Sequence, residues 1–186
     1  MIGELPVSLE VNGVTRSIRS DFRDILTVLT SFSDPELEDS EKVYVCLKIV
    51  FEEFDAIPSA DYQLAFDAAL SFIEGGVKSG EKANHPAVMD WVQDEPILFP
   101  AINKVAGFET RSVKYIHWWT FLGYYMEISD GIFAQVASIR AKKAKGKKLE
   151  KWEREFWSAN KSLCVIKPKL TEEEKEEKEA LNKLLG

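Results

Sequence analysis

Few side chains in this chain could do chemistry, and they are scattered. His117 stands beside Trp118, Cys46 and Cys164 are the two cysteines, and Glu52-Glu53 and Asp94-Glu95 are adjacent carboxylate pairs. A neutral imidazole can serve as base or metal ligand. His117 has no Cys, Asp or second His three or four residues away to complete a site, so it reads as a hydrogen-bonded packing residue among aromatics. His85, next to Pro86, reads as solvated. Adjacent carboxylates on a helix point about 100° apart and share no proton, which leaves both pairs to capping or to the surface. Cys164, between Leu163 and Val165 with no neighbouring His, reads as packed rather than nucleophilic. No glycine falls in GxGxxG, GxxxxGK or GxSxG spacing. The expectation is a chain with no catalytic residue, no metal and no cofactor: a binder and not an enzyme.

The chemistry that remains is ionic. Residues 1–139 hold 10 basic and 22 acidic side chains, whereas residues 140–186 hold 14 and 9. Within the second stretch, residues 140–151 carry seven cations (Arg140, Lys142, Lys143, Lys145, Lys147, Lys148, Lys151) and one acid, and residues 171–179 carry six glutamates. Trp152 and Phe156 follow the cations four residues apart on one helix side, with Trp157 adjacent. Such a run is either a solvated helix end or a docking surface, and aromatics beside cations are enriched at interface centres. Lys147, Lys148, Trp152, Phe156 and Trp157 are therefore the candidate partner contacts, with Trp118 and Trp119 assigned to the core. A net charge of -7 weighs against nucleic acid or anionic membrane as the general partner. The segment 140–151 keeps a nucleic-acid-binding accessory role as the alternative, with its lysines on phosphates and its tryptophans stacking on bases. The absence of an export-like start or a long apolar run predicts a cytoplasmic protein.

The elements that must position these residues are mostly helical. Leu5, Val7, Leu9 and Val11 alternate up to Asn12-Gly13, and Val14 and Ile18 follow, which predicts a type I′ hairpin laying its apolar face on helices. Phe22, Ile25, Leu26 and Leu29 predict a first helix capped by Ser20 or Asp21. A second is expected from about residue 40 until Pro58, and a third through Tyr62, Phe66 and Ile73 until Gly75-Gly76. The polar stretch 78–85 is the linker candidate between a part at 1–77 and a part at 86–186, which could also be one continuous domain. From Asp90 the chain reads as extended for a few residues. Asp94 then caps a helix that Pro100 should kink or break, and an aromatic helix spans about 112–128. A helix from Ile132 runs into the basic segment, and Leu149, Trp152, Phe156 and Leu163 predict one amphipathic helix after it. Thr171 and Glu174 form a capping box for a terminal helix ending in Leu181, Leu184 and Leu185. The fold class expected is mainly α with a small N-terminal β-hairpin packed on the helices.

The run His117-Trp118-Trp119-Thr120-Phe121, the arginine ending Ala137-Ser138-Ile139-Arg140, and the block from Gly146-Lys147-Lys148-Leu149 through Trp152-Glu153-Arg154-Glu155-Phe156 resemble the "gene product fifteen" family. These proteins are encoded in the tail module of long-tailed phages and prophages of Gram-positive bacteria. The resemblance implies a tail assembly chaperone that binds the tape measure protein and keeps it soluble until tail tube protein polymerises around it. It further implies a homo-oligomer that works in the host cytoplasm and is absent from the finished virion.

Overall fold

The computed structural model describes residues 3–76 and 88–185. The linker candidate 78–85, with His85, lies outside the described residues, as do the side chains of Leu184 and Leu185. Strands β1 (Ser8–Val11) and β2 (Val14–Ser17) form the antiparallel hairpin, with Val11 opposite Val14. Asn12 and Gly13 both take positive φ, 48° and 76°, as a type I′ turn requires. Leu9, Val11 and Ile18 pack inward, whereas Leu5, Val7 and Val14 stay exposed, so the apolar face is narrower than the alternation suggests.

Helix α1 (Phe22–Phe32) is capped by Asp21, whose carboxylate accepts from the Arg23 N–H, and buries Phe22, Ile25 and Val28. Helix α2 (Asp39–Val50) stops well short of Pro58. Phe51 turns extended and bridges Ile18, the Arg19 N–H donates to the Val50 carbonyl at 2.8 Å, and the Glu52 N–H donates to Ser17 at 3.1 Å. The hairpin thus gains a short third partner, which answers the marginal stability of two strands alone. The Arg19 guanidinium donates to the carbonyls of Ile49 and Phe51, both at 2.9 Å, and neutralises the carbonyl-rich end of α2. This long-range pairing, invisible to helical periodicity, is what ends α2 early.

Helix α3 (Tyr62–Ile73) closes on Gly75 and Gly76, at φ 76° and 74°. The Gly76 N–H reaches the Ser71 carbonyl at 2.8 Å and the Gly75 N–H that of Phe72 at 3.0 Å, the paired bonds of a Schellman cap. A Cβ on Gly76 would stand 3.1 Å from the Trp119 ring, and one on Gly75 3.0 Å from Leu122, so this cap is also a packing contact.

The segment after Asp90, expected to be extended, is a tight turn. The Asp90 carboxylate accepts from the N–H groups of Val92 and Gln93, and its carbonyl from that of Asp94. Helix α4 (Glu95–Ala106) then runs unbroken through Pro100. Pro100 is the sixth residue of this helix and forfeits one interior bond, to the Pro96 carbonyl, while burial of Leu98, Phe99 and Ile102 holds the segment in place. Helix α5 (Trp118–Met126) begins six residues later than the aromatic pattern suggests. Residues 113–117 are non-helical and run beside α1. The Arg23 guanidinium donates to the Val113 carbonyl at 2.7 Å, the Ile116 N–H to Asp21 at 3.1 Å, and the Phe22 N–H to the Ile116 carbonyl at 3.0 Å.

Helices α6 (Gly131–Ala144), α7 (Lys151–Ala159), α8 (Lys161–Cys164) and α9 (Glu172–Leu185) complete the chain. The amphipathic stretch expected to be one helix breaks at Asn160 into α7 and α8. The capping box at Thr171 and Glu174 forms as expected, each side chain accepting from the other residue's N–H. Side chains from both predicted parts share one apolar core, in which Phe22 stacks on Phe121 at 4.2 Å and Phe99 joins them at 5.9 Å from Phe121.

Candidate docking surface

Arg140 does not belong to the exposed basic run. It is 5% exposed and its guanidinium forms two bonds to the Asp94 carboxylate, at 2.6 and 2.8 Å. It also donates to the carbonyls of Val88 and Cys164, at 3.2 and 3.1 Å, and to that of Leu163. A planar fork of five donors suits this convergence of one carboxylate and three carbonyls. Asp94, expected to cap α4, makes no side-chain cap bond; its carboxylate takes Arg140 and the Asp90 N–H instead. One buried pair therefore ties α6 to the start of α4, to the chain entering it and to α8.

Above this staple the basic segment folds into a corner. Helix α6 ends in a Schellman cap, with Gly146 at φ 65° and the Lys147 N–H donating to the Lys142 carbonyl at 2.8 Å. Helix α7 opens with a capping box of Glu150 and Glu153. The Glu153 side chain is 1% exposed, and its carboxylate also accepts from Lys142 at 2.5 Å. That lysine first, and then the Glu150 N–H, hold its carboxyl below the usual carboxylate range. The Lys143 ammonium lies 3.9 Å from the centroid of the Trp157 ring.

All five candidate contact residues meet at this corner, but they do not face the same way. Lys147 and Lys148 are exposed and Trp152 is 54% exposed, whereas Phe156 and Trp157 are half-buried against the corner itself. Of the seven cations, Arg140, Lys142 and Lys143 have partners within the chain, and Lys145, Lys147, Lys148 and Lys151 are exposed. A second apolar feature is a groove of about 510 Å³ between α1 and α4. Phe22, Leu26, Trp91 and Phe99 line it, with Arg23 and Arg111 stacked on Phe22 and Phe99 at 4.4 and 4.9 Å.

Trp118 is interior, as expected, whereas Trp119 is half-buried against the core. Trp118 is 1% exposed, and the two indole N–H groups donate to the Ile73 and Phe72 carbonyls, each at 2.8 Å. The Trp118 indole thus serves the Ile73 carbonyl at the end of α3, and the Trp119 indole adds a second donor to the Phe72 carbonyl, which also accepts the Gly75 N–H. His117 is buried and caps α5, its Nδ1 accepting from the Trp119 N–H at 3.0 Å. Nε2 is then the protonated nitrogen, and it donates to the Pro6 carbonyl at 2.9 Å.

Sequence reasoning missed the Asp94–Arg140 pair and the burial of Glu153. A signal existed for the first: Arg140 falls four and seven residues after Val136 and Phe133, on the buried face of α6. A charge in a buried stripe demands a partner. Glu153 sits three residues after Glu150, a spacing that marks a box only once Glu is admitted at the cap position.

A family model described as Bacteriophage Gp15 protein matches residues 1–165. No curated protein and no solved structure matches the chain.

Proposed function

Because the chain belongs to the Bacteriophage Gp15 protein family, we propose that it is a tail assembly chaperone, binding the tape measure protein and keeping it soluble while tail tube subunits assemble. The role is one of binding, with no reaction catalysed. A tape measure protein is a long chain with apolar helical stripes that aggregate when uncovered, so its chaperone must offer apolar surface beside steering charge. The observation that carries this reading is the corner itself: Trp152 is 54% exposed, flanked by exposed Lys147 and Lys148, on a turn fixed by a Schellman cap and a capping box. The groove between α1 and α4 supplies a second apolar stretch within the same molecule. Arg140 is buried, Lys142 is paired with Glu153 and Lys143 lies on the Trp157 ring, which leaves a shorter row for phosphates and favours a protein partner over a nucleic acid.

The test is co-purification of the tape measure protein of the same phage with tagged chain. The native chain should retain it. Lys147→Glu with Lys148→Glu should weaken retention mainly at low salt, and Trp152→Ala should weaken it at all salt concentrations, by about tenfold or more for a central aromatic anchor. Retention that is unchanged in all these variants would remove the corner from the interface.

A further inference from the structure

The lysines and Trp152 at the corner between α6 and α7 and the described side chains of the terminal helix α9 are exposed in the single molecule, and the two surfaces carry opposite net charge. At the corner, Lys145, Lys147, Lys148 and Lys151 are exposed and lead into Trp152. On α9, every described side chain within 172–183 is exposed. A helix of 14 residues that buries none of its described side chains is marginal in water without a partner.

The order along each surface also matches. Glu173, Glu177 and Leu181 follow one another at four-residue steps on one face of α9, with Glu176 and Ala180 beside them, so acids precede apolar groups. At the corner, the lysines of 145–151 precede Trp152 and the half-buried Phe156. Laid parallel, such surfaces set carboxylates against ammonium groups and Leu181 against the indole. The start of α9 is tied elsewhere in its own molecule. Lys169 bonds Ser33 and pairs with Asp90, and the Glu172 N–H donates to Glu36, so the helix is rooted beside the end of α1.

We infer that α9 of one copy docks on the α6–α7 corner of a second copy. Reciprocal exchange gives each copy one donated helix and one occupied corner, which closes a dimer. The inference uses the same corner as the proposed function, and α9 then holds the place of a partner helix until the partner displaces it.

The test is sedimentation of purified full-length chain with no phage partner present, so its outcome is independent of whether the tape measure protein binds. Two variants are made, one Lys147→Glu with Lys148→Glu and the other Glu173→Lys with Glu177→Lys. All four residues are exposed, and circular dichroism checks that helix content is retained. Native chain should associate, less so as salt rises. Each variant alone should dissociate with a constant at least about tenfold weaker, because like charges now face each other. An equimolar mixture should regain native mass, since both contacts between unlike variants are attractive. Leu181→Ser should weaken association without the salt dependence. Native chain that sediments as a monomer, variants that associate like native chain, or a mixture that stays dissociated would each overturn the inference.

Discussion

Replacing Arg140 with methionine would leave the Asp94 carboxylate in a site 1% exposed with its guanidinium partner gone. Breaking a buried pair from one side costs about 3–5 kcal/mol, whereas removing both charges costs far less. Urea unfolding of Arg140→Met should show that loss, and the double variant with Asp94→Leu should recover part of it. Glu153 carries a second prediction. Its folded pKa lies below the ordinary 4.5, so the stability it contributes is present above that value and is lost as pH falls through the folded pKa. Trp157 lies on Lys143 at the same corner, so its fluorescence should report loosening in acid, and Glu153→Gln should flatten that pH dependence. Single residues were legible where chemistry is local: His117 as a hydrogen-bonded packing residue and Trp118 as core, with Trp119 half-buried against it. Arg140 and Glu153 were not, because a partner 46 or 11 residues away decides which way a charged side chain turns.

At the scale of elements, the indoles of α5 act as the cap of α3. Trp118→Phe keeps a ring of similar shape but removes the indole donor from the Ile73 carbonyl, the one it has among the described residues, which should cost about 1–3 kcal/mol in thermal or denaturant unfolding. If that variant matched native stability, the acceptor would have found another donor. The helices, the hairpin register and the Schellman cap at Gly75-Gly76 followed from periodicity and turn chemistry. Boundaries failed wherever distant backbone intervened. Helix α2 stops at Val50 because Phe51 pairs with Ile18, and α5 starts at Trp118 because Arg23 and Asp21 hold the preceding residues non-helical. Pro100 was expected to kink or break α4, and the helix runs through it without a break, with Leu98, Phe99 and Ile102 buried around it. The single stripe drawn through Leu149, Trp152, Phe156 and Leu163 breaks at Asn160, and buried Glu153 turns Trp152 outward.

The whole molecule separates its charge along the chain, acidic through residue 139 and then basic before acidic, and the fold engages Arg140, Lys142 and Lys143 with partners of its own beside four further exposed lysines. That balance sets the remaining lysines beside Trp152, with an exposed acidic helix elsewhere on the same surface. The family's residues were recognisable in the aromatic and basic blocks, but the groove between α1 and α4 was not. It exists only once Leu26, Trp91 and Phe99 come together from three elements. The most direct measurement is co-expression of the tape measure protein of the same phage with and without this chain, followed by size exclusion of the soluble fraction. Tape measure protein that is soluble only in the presence of this chain, and elutes with it, is the predicted result. Tape measure protein equally soluble in both cultures and eluting alone would contradict the chaperone role.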